Sequence, residues 1–246
     1  MKYKFSGTKR DYPKQHIISR MTNFIIDNVF YFNALSHILI RVKNERRFPI
    51  IDEIIEREYK SHSKIMDEKN NSEFKKLVIE FLTEDFNKDG NLRGKLLEFI
   101  ISQIGPINNI NSNTLSILVD CRVLENDIPI GEDKNFDICF YCDYKCIEEL
   151  QAELIESKLD INNFLFKEPY SPNTSEVTSR AKEKLEYMKE VFIKLSNSRH
   201  LIIALATIKY DIEPSRQTIV KLGFDNIVKI YDYNFLEKAL IMKCSA

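Results

Sequence analysis

The order of hydrophobic patterns along the chain predicts an α/β protein: a mixed sheet flanked by helices, preceded by a helical N-terminal region. Three observations predict it. Over residues 15–85 apolar residues recur at three- and four-residue steps, the period of an amphipathic helix. Between 114 and 161 the pattern changes to three strand-like segments in succession. Beyond 176 a long helical stretch, a fully apolar run and two further helices around a short strand follow, the alternation that builds crossovers.

Each element has a local reason. Ile17, Ile18, Met21, Phe24, Ile25, Val29 and Phe32 form one helical stripe, with Asn28 its single polar interruption. Pro49 suits the first turn of a second helix carrying Ile50, Ile51, Ile54 and Ile55. Phe74, Leu77, Val78, Phe81 and Leu82, after Ser72, mark a third. The segment Asp85-Phe86-Asn87-Lys88-Asp89-Gly90-Asn91 begins like a calcium loop, but its twelfth position is Leu96 where a bidentate Glu belongs, so it reads as a polar turn. A helix over 92–104 contains Glu98 and stops at Gly105-Pro106. Strands are expected at 114–124, 136–144 and 150–161. A helix follows over about 176–195 after Pro172-Asn173-Thr174. The run 200–207 reads as a buried central strand. A helix at 214–222 closed by Gly223, a strand at 227–231 and a helix at 234–242 complete the order. The division drawn from these patterns is a helical region, 1–88, for partner binding or regulation, and an α/β domain, 89–246.

Composition excludes several classes. The 246 residues are 43% hydrophobic and 30% charged, ordinary for a globular chain. Lys plus Arg total 36 against 37 Asp plus Glu, so any contact with nucleic acid must rest on local positive charge or on a partner. Five cysteines and a polar, charged start from Met1 to Tyr12 lead us to expect reduced thiols, a cytoplasmic location and no membrane association. Cys139, Cys142 and Cys146 are compactly spaced. However, Cys139 and Cys142 differ in strand parity and so point to opposite faces, which favours small core residues over a zinc site. His16, His37, His62 and His200 are scattered, and no glycine-rich phosphate loop is present.

The chemistry-bearing stretch is Leu154-Ile155-Glu156-Ser157-Lys158. On a strand Glu156 and Lys158 face one side, about 6.6 Å apart along the backbone, while Ser157 points away. If the second and third strands form a hairpin centred near Cys146-Ile147, Asp137 falls opposite Glu156, at roughly 5 Å. Two carboxylates that close repel unless a cation lies between them, and a divalent ion bound through oxygen is the usual solution. A rival set, Asp143-Tyr144-Lys145 with Asp137 upstream, puts the two acids about 20 Å apart along one strand unless a tight turn intervenes.

The elements from 92 to 242 resemble the core of the PD-(D/E)xK, or restriction-endonuclease-like, nucleases. In that family an acid often sits on the first helix, an Asp near the start of the second strand and Glu-x-Lys on the third. Here Glu98, Asp137 and Glu156-Ser157-Lys158 fill those places. The resemblance implies a restriction-endonuclease-like fold and metal-dependent hydrolysis of DNA. It implies Mg²⁺ or Mn²⁺ held by Asp137, Glu156, the Ser157 carbonyl and Glu98, with Lys158 acting on the attacking water and the phosphate. Arg180, Lys182 and Lys184 are the expected contacts to the nucleic-acid backbone. The usual employment of such enzymes implies an effector of prokaryotic anti-phage defence or of a mobile element, working with a helicase or other ATPase subunit, and homodimers are common among them. Two other classes stay open: a non-catalytic scaffold on the same fold, and a toxin-like ribonuclease working without metal.

Overall fold

The computed structural model describes residues 2–42, 48–62, 68–87, 91–108, 110, 114–142, 144–166 and 176–244. Asp143 of the rival constellation, residues 88–90 of the polar turn, and Pro172-Asn173-Thr174 lie outside them. The chain divides into two compact units: 1–10 with 105–234, and 11–104 with 235–246. These boundaries do not follow a cut at 88, because the first ten residues join the sheet and the helix over 92–104 groups with the helices.

Among the described residues the sheet unit holds seven strands: β1 (Tyr3–Thr8), β2 (Leu115–Glu125), β3 (Ile128–Pro129), β4 (Phe136–Cys142), β5 (Gln151–Lys158), β6 (His200–Thr207) and β7 (Val228–Tyr231). Their order is β1-β2-β4-β5-β6-β7, with β3 paired to β2. The β1, β2, β4 and β5 pairings are antiparallel; β6 runs parallel to β5 and β7 parallel to β6. The sheet is therefore mixed, as expected of the α/β class. Strand β1 was not anticipated. Its register shifts between Ser6 and Thr8, and a Cβ on the intervening Gly7 would lie 2.7 Å from the Val119 carbonyl oxygen, so that approach requires glycine.

Among the described residues the α-helices wholly in this unit are α6 (Ile161–Leu165), α7 (Ser179–Lys194) and α8 (Glu213–Lys221), numbered after those of the other unit. α7 starts where the Thr178 hydroxyl accepts the Ala181 N–H. Its stripe of Ala181, Leu185, Met188 and Val191 packs with Cys121, Cys139, Ala152, Leu154, Ile203 and Leu205 of the sheet, all 0–1% exposed. At about 25 cal/mol per Å² such burial is the main stabilisation of the unit. On the other face of β5 the fully buried Glu153 accepts from the Tyr231 hydroxyl (2.5 Å), the Ile107 N–H (2.8 Å) and Asn108 Nδ2 (3.2 Å). Burial raises its pKa, and those donors partly offset the rise.

The helical unit holds α1 (Ile17–Asp27), α2 (Tyr31–Arg41), α3 (Phe48–His62), α4 (Glu68–Asn87) and α5 (Leu92–Ile104), joined by most of α9 (Tyr233–Cys244). The single stripe read across Asn28 is two helices. Asn28 turns its Nδ2 back to the Phe24 carbonyl and ends α1. Tyr31, Phe24 and Phe74 form its aromatic centre, with Phe24 and Phe74 stacked at 5.6 Å. Asp85, fully buried, is committed to structure. Oδ1 accepts the Leu92 N–H at the start of α5 (2.8 Å), and Oδ2 pairs with Arg93 Nε (2.8 Å). Among the described residues no helix is long and apolar enough to cross a membrane.

Removing Asp85 leaves a helix start uncapped and a largely buried guanidinium unpaired. Asp85→Ala is expected to lower stability by about 3 kcal/mol, measured as a shift of the urea midpoint. A loss below about 1 kcal/mol, the value of a surface pair, would contradict this role.

Candidate active site

The site is set by the register of one hairpin. Ile138 lies opposite Ile155, Cys139 opposite Leu154, Phe140 opposite Glu153 and Tyr141 opposite Ala152. One step further in that register Asp137 faces Glu156, beyond the last backbone-paired residues. Both acids stand on the face that carries Cys139 and Leu154, under α7. Lys158, two residues after Glu156, shares that face.

Lys158 Nζ lies 2.6 Å from Glu156 Oε1, 2.9 Å from the Ser157 carbonyl oxygen and 3.6 Å from Asp137 Oδ2. The ring of Phe164 sits 5.4 Å from the ammonium. Ser157 does not turn wholly away: its N–H and its hydroxyl both donate to Asp137 Oδ2, at 2.7 and 3.1 Å. The ladder has ended there, so the Asp137 carboxylate takes over the Ser157 N–H and draws the hydroxyl with it.

A second lysine comes from α7. Lys184 Nζ lies 2.5 Å from Glu156 Oε2, an ion contact without the alignment of a hydrogen bond, and donates to the Asn135 carbonyl. Its ammonium is 5.6 Å from the rings of Phe136 and Tyr187. A backbone contact needs an exposed ammonium, and Lys184 is 8% exposed and engaged; Arg180 and Lys182, one turn earlier, are exposed. Sequence reading missed this role, although the signal was present. Lys184 occupies the apolar stripe of α7, three residues after Ala181 and four before Met188. Glu98 is half-buried on α5 of the helical unit, and the cluster described here is built from the sheet unit alone.

No family model, curated protein or solved structure matches this chain.

Burial alone would pull Lys158 below its ordinary pKa, and the charge of Arg180 pushes the same way. The carboxylates of Glu156 and Asp137 outweigh both and hold it above 10.5. With these carboxylates as its partners Lys158 is held as an ammonium, suited to stabilising negative charge. Asp137, Glu156 and the Ser157 carbonyl are hard oxygen donors, the kind that Mg²⁺ and Mn²⁺ accept, and they already surround one cation. In donor type they fit such an ion. Among the described residues no group of three or more His, Cys, Asp or Glu is placed to hold a metal, so two carboxylates and a carbonyl would be completed by water. Cys121, Cys139 and Cys142 are buried free thiols, whereas Cys146 is exposed.

A raised lysine pKa has a definite sign in stability. The contribution is fully present below the unfolded value, near 10.5, and is lost as pH rises through the folded value. In urea denaturation from pH 8 to 11 the stability gap between wild type and Lys158→Met should therefore narrow above about pH 10.5. A gap that stays constant or widens would show that Lys158 is not held by these carboxylates.

Proposed function

We propose that the protein is a metal-dependent nuclease that hydrolyses DNA phosphodiester bonds on a restriction-endonuclease-like core. One observation carries the reading: Asp137, Glu156 and Lys158 converge where β4 begins and β5 ends, in a site fixed by strand register. The topology supports the fold assignment, since an antiparallel β2-β4-β5 meander is followed by α7 and then by β6 parallel to β5. In this reading Asp137, Glu156 and the Ser157 carbonyl hold Mg²⁺ or Mn²⁺, which when bound supplies Lewis-acid polarisation of the phosphate and a more acidic water. Lys158, as an ammonium, offsets charge that builds on the phosphate. Lys184 fixes Glu156 through Oε2. Arg180 and Lys182 supply exposed positive charge for the DNA backbone beside the site. A groove between residues 131–134 and the outer face of α7 is lined by Glu132, Asp133, Glu183, Glu186 and Glu190 against Lys134 and Lys189, and its negative excess is wrong for a polyanion. The proposed setting is cytoplasmic: the effector of a prokaryotic anti-phage or mobile-element system, switched on by a helicase or other ATPase subunit, as a homodimer in the manner of many such enzymes.

A second reading, a non-catalytic scaffold, draws support from the pairing of both carboxylates with lysines, which leaves the cluster neutral without any ligand.

Plasmid and oligonucleotide cleavage with Mg²⁺, Mn²⁺ or EDTA separates the two. The nuclease reading predicts cutting with metal, none with EDTA, and a loss of about 100-fold or more in Lys158→Ala. Cutting in EDTA, or undiminished cutting by the variant, would overturn the assignment.

A further inference from the structure

The three oxygens assigned to a divalent ion are the three that Lys158 Nζ now touches: Glu156 Oε1, the Ser157 carbonyl and Asp137 Oδ2. We propose that Lys158 is an internal occupant of the cation site, so that its ammonium and the metal compete for the same oxygens and metal loading turns Lys158 out toward the substrate. This rests on the nuclease reading of the same site.

The two lysines differ in a way that makes only one of them displaceable. Lys184 is tied at Glu156 Oε2 and at the Asn135 carbonyl and flanked by two rings, with 11% of its side chain exposed. Lys158 is the last residue of β5, its side chain is 21% exposed, and one ring lies beside it. An ammonium on a flexible four-carbon stem can rotate without moving backbone. Two carboxylates balance two ammonium groups in the cluster as it stands. Once Lys158 leaves, one net negative charge faces the incoming ion, and Lys184 keeps Glu156 in place. A divalent ion attracts the same oxygens about twice as strongly as an ammonium at equal distance. Exchange releases the ammonium that the proposed reaction uses at the phosphate. Arming of the site and delivery of Lys158 become a single event.

The test is Mn²⁺ binding by isothermal titration, on wild type, Lys158→Met and Lys158→Gln, with folding checked by circular dichroism and thermal midpoint. Arg180→Met serves as a control, because it removes a nearby charge without vacating the oxygens. Competition predicts that both Lys158 variants bind Mn²⁺ about tenfold or more tightly than wild type, while Arg180→Met changes affinity about twofold or less. Detectable binding only in the Lys158 variants would support the proposal equally. Wild type binding as tightly as the Lys158 variants, or Arg180→Met tightening as much as they do, would overturn it and leave the nuclease reading standing. Absence of binding in every variant would remove both.

Discussion

Everything proposed for this molecule depends on the register of β5 between its two neighbours. β5 pairs antiparallel with β4, Ile138 opposite Ile155, and parallel with β6, Gln151 opposite His200 through Lys158 opposite Thr207. A slip of one residue against β4 would send Glu156 and Lys158 to the opposite face and separate them from Asp137. Burial prevents that slip. Phe136, Ile138, Cys139, Phe140, Leu154 and Ile155 are all fully buried, so every alternative register exposes part of this set or drives Glu156 into an apolar layer. The apolar residues of the hairpin thus fix the positions of its charged ones.

Placing charges at the rim of such a core is costly unless each has a partner. The cluster meets that condition internally. Glu156, 5% exposed, has a lysine at each oxygen, and Asp137 accepts from Ser157 and faces Lys158. A purely structural ion network needs no more than this. A site that must admit a cation needs one partner able to leave, and the unequal anchoring of the two lysines provides it.

Much of this was legible in the sequence, for identifiable reasons. The run over 200–207 is β6 to the residue, because a strand buried on both faces keeps its interior apolar and leaves polar residues only at its two ends, His200 and Thr207. The hairpin centre near 146–147 gave the observed β4–β5 register although the connection has no Gly or Pro: it sets Ile138 against Ile155 and Cys139 against Leu154, while Phe140 faces the buried Glu153. Other features were hidden. β1 has one buried residue in six and takes its stability from pairing with a strand more than a hundred residues away, which no local pattern records. The break at Asn28 showed in the sequence only as a single polar interruption in a stripe that otherwise continues to Phe32. α6 is five residues long, begun by Asp160 accepting from Asn162 and Asn163, and merged in the sequence with the preceding strand. Lys184 was read as surface because lysines usually are. Its place in the stripe of α7 was the contrary signal, and only the packing of that helix over Glu156 gave the signal a meaning.

The central proposal is that Asp137, Glu156 and the Ser157 carbonyl, which Lys158 now contacts, form a divalent-cation site. Metal-directed cleavage of the protein's own backbone tests it without assuming a substrate: Fe²⁺ with ascorbate and peroxide is added and the fragments are read by mass spectrometry. The account predicts cuts next to Asp137 and within 156–158, suppressed by excess Mg²⁺. Cuts concentrated elsewhere, or a pattern indifferent to Mg²⁺, would contradict it.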